Sequence, residues 1–97
     1  MRLQDALDHI DTLSDDDVIF AKKPWRMDCE ARIDQLDAES RVPAHLTAQG
    51  FAYFLEAVVA KEVLEVFEQR AVSDEKKRTL VLFYAENDAY PDWVYDR

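Results

Sequence analysis

Phe51-Ala52-Tyr53-Phe54-Leu55-Glu56 runs straight into Ala57-Val58-Val59-Ala60-Lys61-Glu62-Val63-Leu64-Glu65-Val66-Phe67, and that junction decides the fold. The first six residues form a compact aromatic run after Gly50, short enough to be a buried strand. From Ala57 the period changes. Val59, Val63, Val66 and Phe67, supported by Ala60 and Leu64, share one side of a helix, while Lys61, Glu65, Glu68 and Gln69 fall on its wet side.

Toward the N-terminus, Val18-Ile19-Phe20-Ala21 reads as a short strand, β-branched and aromatic, between an acidic turn and Lys22-Lys23-Pro24. Trp25 follows in a turn. Cys29, Ala31 and Ile33 alternate with Glu30, Arg32 and Asp34, the period of a half-buried strand, so the two segments make a hairpin. Leu3, Ala6, Leu7, Ile10 and Leu13 recur at helical spacing and predict a short amphipathic helix. It ends near Ser14, where Ser and Asp side chains prefer to bond local backbone. Asp37 to Ser40 is a polar connection; Val42-Pro43 opens a single helical turn that Gly50 closes.

Toward the C-terminus, Ser73 is a good N-cap, with Asp74 and Glu75 in the first turn, where the helix dipole favours acids. The apolar run within Thr79 to Ala85 fits a strand as well as a helix. The cap and the polar lead-in through Arg78 favour helix, which must end before Pro91. The expectation is one α+β domain over residues 1–97. A small antiparallel sheet of about three strands packs against two or three helices, in the order α-β-β-β-α-α.

With 97 residues, 48% of them hydrophobic, there is enough apolar matter for a modest core and too much for a disordered chain. The formal charge of −9 disfavours direct binding to nucleic acid or an anionic membrane, and favours association with a basic surface. The excess lies at the ends: residues 1–17 contribute −5 and residues 86–97 contribute −3. If the ends meet in space they form one acidic patch. A lone Cys29, no signal-like N-terminus and no long apolar stretch make the cytoplasm the expected location.

Catalytic chemistry is thinly represented, and no enzymatic activity, metal or cofactor is expected. His9 and His45 lie at no metal-binding interval from each other or from Cys29, and the single Gly50 forbids a glycine-rich phosphate loop. Asp15, Asp16 and Asp17 lack the alternating ligands, glycine and distal Glu of a calcium loop. They read first as a solvated turn and second as a macromolecular contact. The segment Tyr84-Ala85-Glu86-Asn87-Asp88-Ala89-Tyr90-Pro91-Asp92-Trp93 interleaves rings with carboxylates. Tyr84 and Trp93 are expected to anchor the chain end. Tyr90 and Tyr95 are candidate contacts, because large rings dominate interface hot spots.

Four stretches together resemble a family of small bacterial proteins similar to immunity proteins of polymorphic toxin and contact-dependent growth inhibition systems. These are Ile19 to Trp25, Gly50 to Leu55, Val59 to Glu65 and Tyr84 to Trp93, of which the last is the specific one. The resemblance implies an α/β domain that binds and neutralises a cognate protein toxin, and it implies no catalytic residues. Many such toxins are nucleases with basic substrate surfaces, to which an acidic, ring-bearing patch is complementary. The partner-binding residues expected on this reading are Asp88, Tyr90, Asp92, Trp93 and Tyr95, with Asp15, Asp16 and Asp17 as a second cluster. The alternative is an acidic regulator or nucleic-acid mimic that binds a different basic partner.

Overall fold

A computed structural model describes residues 1–67 and 70–95, with the side chain of Tyr95 outside that description. The elements are α1 (Leu3–Asp8), β1 (Val18–Lys22), β2 (Ala31–Asp34), α2 (Ala44–Ala48), β3 (Phe51–Glu56), α3 (Ala57–Leu64) and α4 (Asp74–Asn87). Short 3₁₀ turns follow α1, α3 and the end of α4. The three strands form one antiparallel sheet in the order β2-β1-β3, so the α+β architecture is as the patterning indicates.

β1 is central, and its apolar run has a direct cause: the sheet is covered on both sides. Ile19 and Ala21 face the main core, which α1, α3 and α4 fill with Leu3, Leu7, Val63, Leu80 and Val81. Val18 and Phe20 face the other way, into a smaller core with Leu46 of α2 and Phe51 of β3. A strand wetted on neither face carries no polar alternation. Phe20 and Phe54 are fully buried, one in each core, and each contributes about 2–3 kcal/mol of burial.

Several boundaries follow from side chains competing with the backbone. The first helix stops at Asp8 rather than running to Leu13. Thr12 Oγ1 donates to the His9 carbonyl at 2.7 Å, and Ile10–Thr12 tightens into a 3₁₀ turn. α2 is the expected single helical turn, and Gly50, at φ +88, supplies the left-handed residue that ends it. The segment from Thr79 to Ala85 is helical, inside α4. Ser73 Oγ accepts from the Lys76 N–H at 3.1 Å, and Asp88, at φ 52, closes the helix with its N–H on the Tyr84 carbonyl. On α3 the buried residues are Ala57, Ala60 and Val63, with Phe67 beyond; Glu68 and Gln69, expected on its wet side, lie outside the described residues.

Candidate functional site

The turn before β1 uses its three aspartates differently. Asp17 accepts from the Ser14 N–H at 2.9 Å, and its carbonyl receives the Ala57 N–H at 2.9 Å, so it ties the start of β1 to the start of α3. Asp15 and Asp16 are exposed. Lys61 reaches back from α3, donating to the Leu13 carbonyl at 2.6 Å and to Asp15 Oδ1 at 3.1 Å. That lysine both ties the turn to α3 and pairs with the Asp15 carboxylate.

Asp15 and Asp16 line an open hollow of about 340 Å³ together with Asp37 and Glu56, over Val18. Four carboxylates from three chain segments therefore meet at one end of the sheet. Asp37 is held there by its own loop, its Oδ1 accepting the Glu39 and Arg41 N–H groups at 2.9 Å each. The Arg41 N–H, then that of Glu39 and the Arg41 guanidinium, pull the Asp37 carboxyl below its ordinary value against a partial opposing effect of burial. Glu56 ends β3 beside Tyr53, whose phenol is pushed up, first by burial and then by the Glu56 charge.

The Asp15–Asp16 turn and Glu86 do not share one patch. Asp15 and Asp16 sit before β1, whereas Glu86 shares a hollow with Lys23, Pro24 and Trp25 after it. A five-residue strand at about 3.3 Å per residue puts roughly 16 Å between the two. These two parts of the expected patch stay apart because Glu86, near the end of α4, lies beside Trp25 at the other end of β1.

The rings of the C-terminal segment pack inward. Trp93 is half-buried and stacks on Phe67 with centroids 6.3 Å apart and planes 20° apart, and Lys76 Nζ lies 5.3 Å from its centroid. Tyr90 leans on Tyr84 at 5.3 Å, and Val94 is buried. Trp93 and Tyr84 thus act as anchors, as expected, and Tyr90 joins them. Asp88 and Asp92 are exposed, Asp88 as the helix-closing residue and Asp92 at the start of the last 3₁₀ turn. The side chain of Tyr95, also expected at the contact, lies outside the described residues.

Trp25, in the turn after β1, donates from Nε1 to the Ala21 carbonyl at 3.2 Å and meets Phe54 edge-on at 4.9 Å, so it locks the end of β1 to the core. His45 pairs with Asp34 at 3.4 Å across α2 and β2, His9 Nδ1 lies 2.8 Å from the Asp5 carbonyl, and Cys29 packs against the main core. The groups considered for chemistry thus serve three separate places in the fold.

What fold and site define is a small α+β domain with an acidic hollow at one sheet end. It belongs to the DUF7716 family, a domain of unknown function, whose match spans residues 1–93. No curated protein and no solved structure matches the chain. Among the described residues no helix is long and apolar enough to cross a membrane.

Proposed function

We propose that the protein is an immunity factor that binds and neutralises a cognate toxin, of nuclease type, by presenting its acidic hollow to the toxin's basic substrate surface. The observation that carries this reading is the convergence of Asp15, Asp16, Asp37 and Glu56 around one open hollow. Charge gathered on one side of a domain speeds encounter with an oppositely charged surface and rejects like-charged partners. The resemblance to immunity proteins supplies the class of partner. With the rings of residues 84–93 turned inward, Asp15 and Asp16 with Asp37 and Glu56 carry the contact.

The test is coexpression with the product of each gene adjacent to this one, with survival and complex formation as readouts. Protection and a stoichiometric complex are expected. Asp15→Lys combined with Asp16→Lys should slow association by about tenfold or more while leaving the circular dichroism unchanged. No protection and no complex overturns the immunity reading. Salt-sensitive binding to several unrelated DNA-binding proteins instead would mark a nucleic-acid mimic.

A further inference from the structure

The two edges of the sheet are finished differently. The outer edge of β2 is closed where it begins: Ala31 N–H donates to the Met1 carbonyl at 2.8 Å, Leu3 N–H to Cys29 at 2.8 Å, and Arg2 bridges Glu30. β3 has β1 on one side only. Lys22 N–H donates to the Glu30 carbonyl at 3.0 Å, so the Lys22 backbone points toward β2. Antiparallel alternation then turns the backbone of Phe51, the residue opposite Lys22 on β3, away from β1. Ala52 points back toward β1 and Tyr53 outward again. Among the described residues no backbone hydrogen bond outside the sheet ladder reaches Phe51 or Tyr53.

Such an edge is normally blunted by lysine, proline, an inward charge or a bulge. β3 has neither lysine nor proline, and its one charge, Glu56, stands at its end. A register shift beyond Tyr53, opposite Ile19 and Phe20, blunts that part of the edge and leaves only Phe51-Ala52-Tyr53 as an open, regular stretch. Tyr53 is also one of the few large apolar side chains left exposed, at 39%.

We infer that this edge pairs with the same edge of a second copy of the chain, making a two-fold dimer with one continuous six-stranded sheet. The register is dictated by which groups point outward. With Ala52 opposite Ala52 of the second copy, Phe51 and Tyr53 fall opposite each other twice, and each pair exchanges two backbone hydrogen bonds. Phe51 and Tyr53 lie on one face, so both juxtapositions place aromatic beside aromatic, a stabilising cross-strand pair. Charge agrees with this arrangement. Lys22 and Arg32 each lie 5.1 Å from the Phe51 ring, at the end of β3 opposite Glu56 and the acidic hollow, and they share Glu30 at 3.4 Å from each, which leaves one net positive charge there. Antiparallel pairing lays the acidic end of one copy toward the cationic end of the other. Three residues per edge make a small contact, and the dimer is accordingly weak and concentration-dependent.

This inference stands apart from the proposed function and is tested on the chain alone. In sedimentation equilibrium up to about 1 mM, the mass should rise from one chain toward two. Amide exchange at Phe51 and Tyr53 should slow over the same range while Ala52, already bonded to β1, does not change. Tyr53→Lys should weaken the association by about tenfold or more with the fold intact, since an edge lysine opposes strand pairing. A chain that stays monomeric throughout, or a dimer that forms without slowing exchange at Phe51 and Tyr53, overturns the inference.

Discussion

Arg78 of α4 holds Asp8 at the end of α1 across 70 residues of chain, its Nη1 lying 3.1 and 3.2 Å from the two carboxylate oxygens. With side chains 22% and 33% exposed, the pair is less screened than an open surface bridge. A double-mutant cycle with Asp8→Asn and Arg78→Gln should give a coupling of about 1 kcal/mol in urea unfolding, at the upper end for such pairs. A coupling near zero would show that packing alone docks α1 on α4.

The start of α4 depends on one hydroxyl. Ser73→Ala removes the acceptor of the Lys76 N–H and should cost about 1 kcal/mol, while Ser73→Asp should be nearly neutral. Thermal unfolding of the three proteins ranks them directly.

Leu46 is the plug of the smaller core, 2% exposed against Val18, Phe20 and Phe51. Leu46→Ala should cost about 2–3 kcal/mol and raise amide exchange in α2 and the loop before it more than in α4. Uniform loss across the chain would mean that the two cores melt as one.

Asp37 sets an acid-side dependence. Its folded-state carboxyl is held low, so the stability it contributes is present above the ordinary aspartate range and is lost as pH falls through the folded value. Exchange at the Glu39 and Arg41 amides should therefore accelerate below about pH 4 relative to the sheet. Asp37→Ala should show the faster exchange at every pH.

Tyr53 behaves oppositely on the alkaline side. Burial and the Glu56 charge raise its phenol, so the contribution of the neutral ring is present at lower pH and is lost as pH rises through the folded value. Glu56→Gln should bring the Tyr53 titration, followed by ultraviolet absorbance, down toward that of free tyrosine.

Periodicity sufficed for β1, the hairpin with β2, the strand–helix junction at Glu56–Ala57 and the nature of α4, because each is a local property of neighbouring side chains. The helical reading of Thr79 to Ala85 rested on Ser73, and that cap is formed. The acidic hollow was only half legible. Asp15 and Asp16 stood out as a run, but Asp37 and Glu56 join them through sheet pairing and loop return, which no local pattern encodes. The one available sign was Asp37 itself, a residue that favours turns. Whether a ring anchors or protrudes was equally hidden for Tyr90, since its neighbour Tyr84 meets it only after the chain reverses at Asp88.

Val18, Ile19, Phe20 and Ala21 are all buried, yet successive residues enter different interiors. In a strand with one dry face, slipping by a single position drives polar groups inward and is rejected for that reason. Here the slip would trade Ile19 and Ala21 largely for Val18 and Phe20, with Asp17 or Lys22 entering only at one end. Size opposes it as well. Ala21 lies directly opposite Ala31, both with no exposure, and forcing a phenyl into that space would cost about 1–3 kcal/mol of overpacking. The phenyl would also leave a void beside Leu46. The alignment of the sheet is thus encoded in side-chain bulk, so an Ala21→Phe, Phe20→Ala exchange preserves composition and hydrophobicity while erasing the instruction.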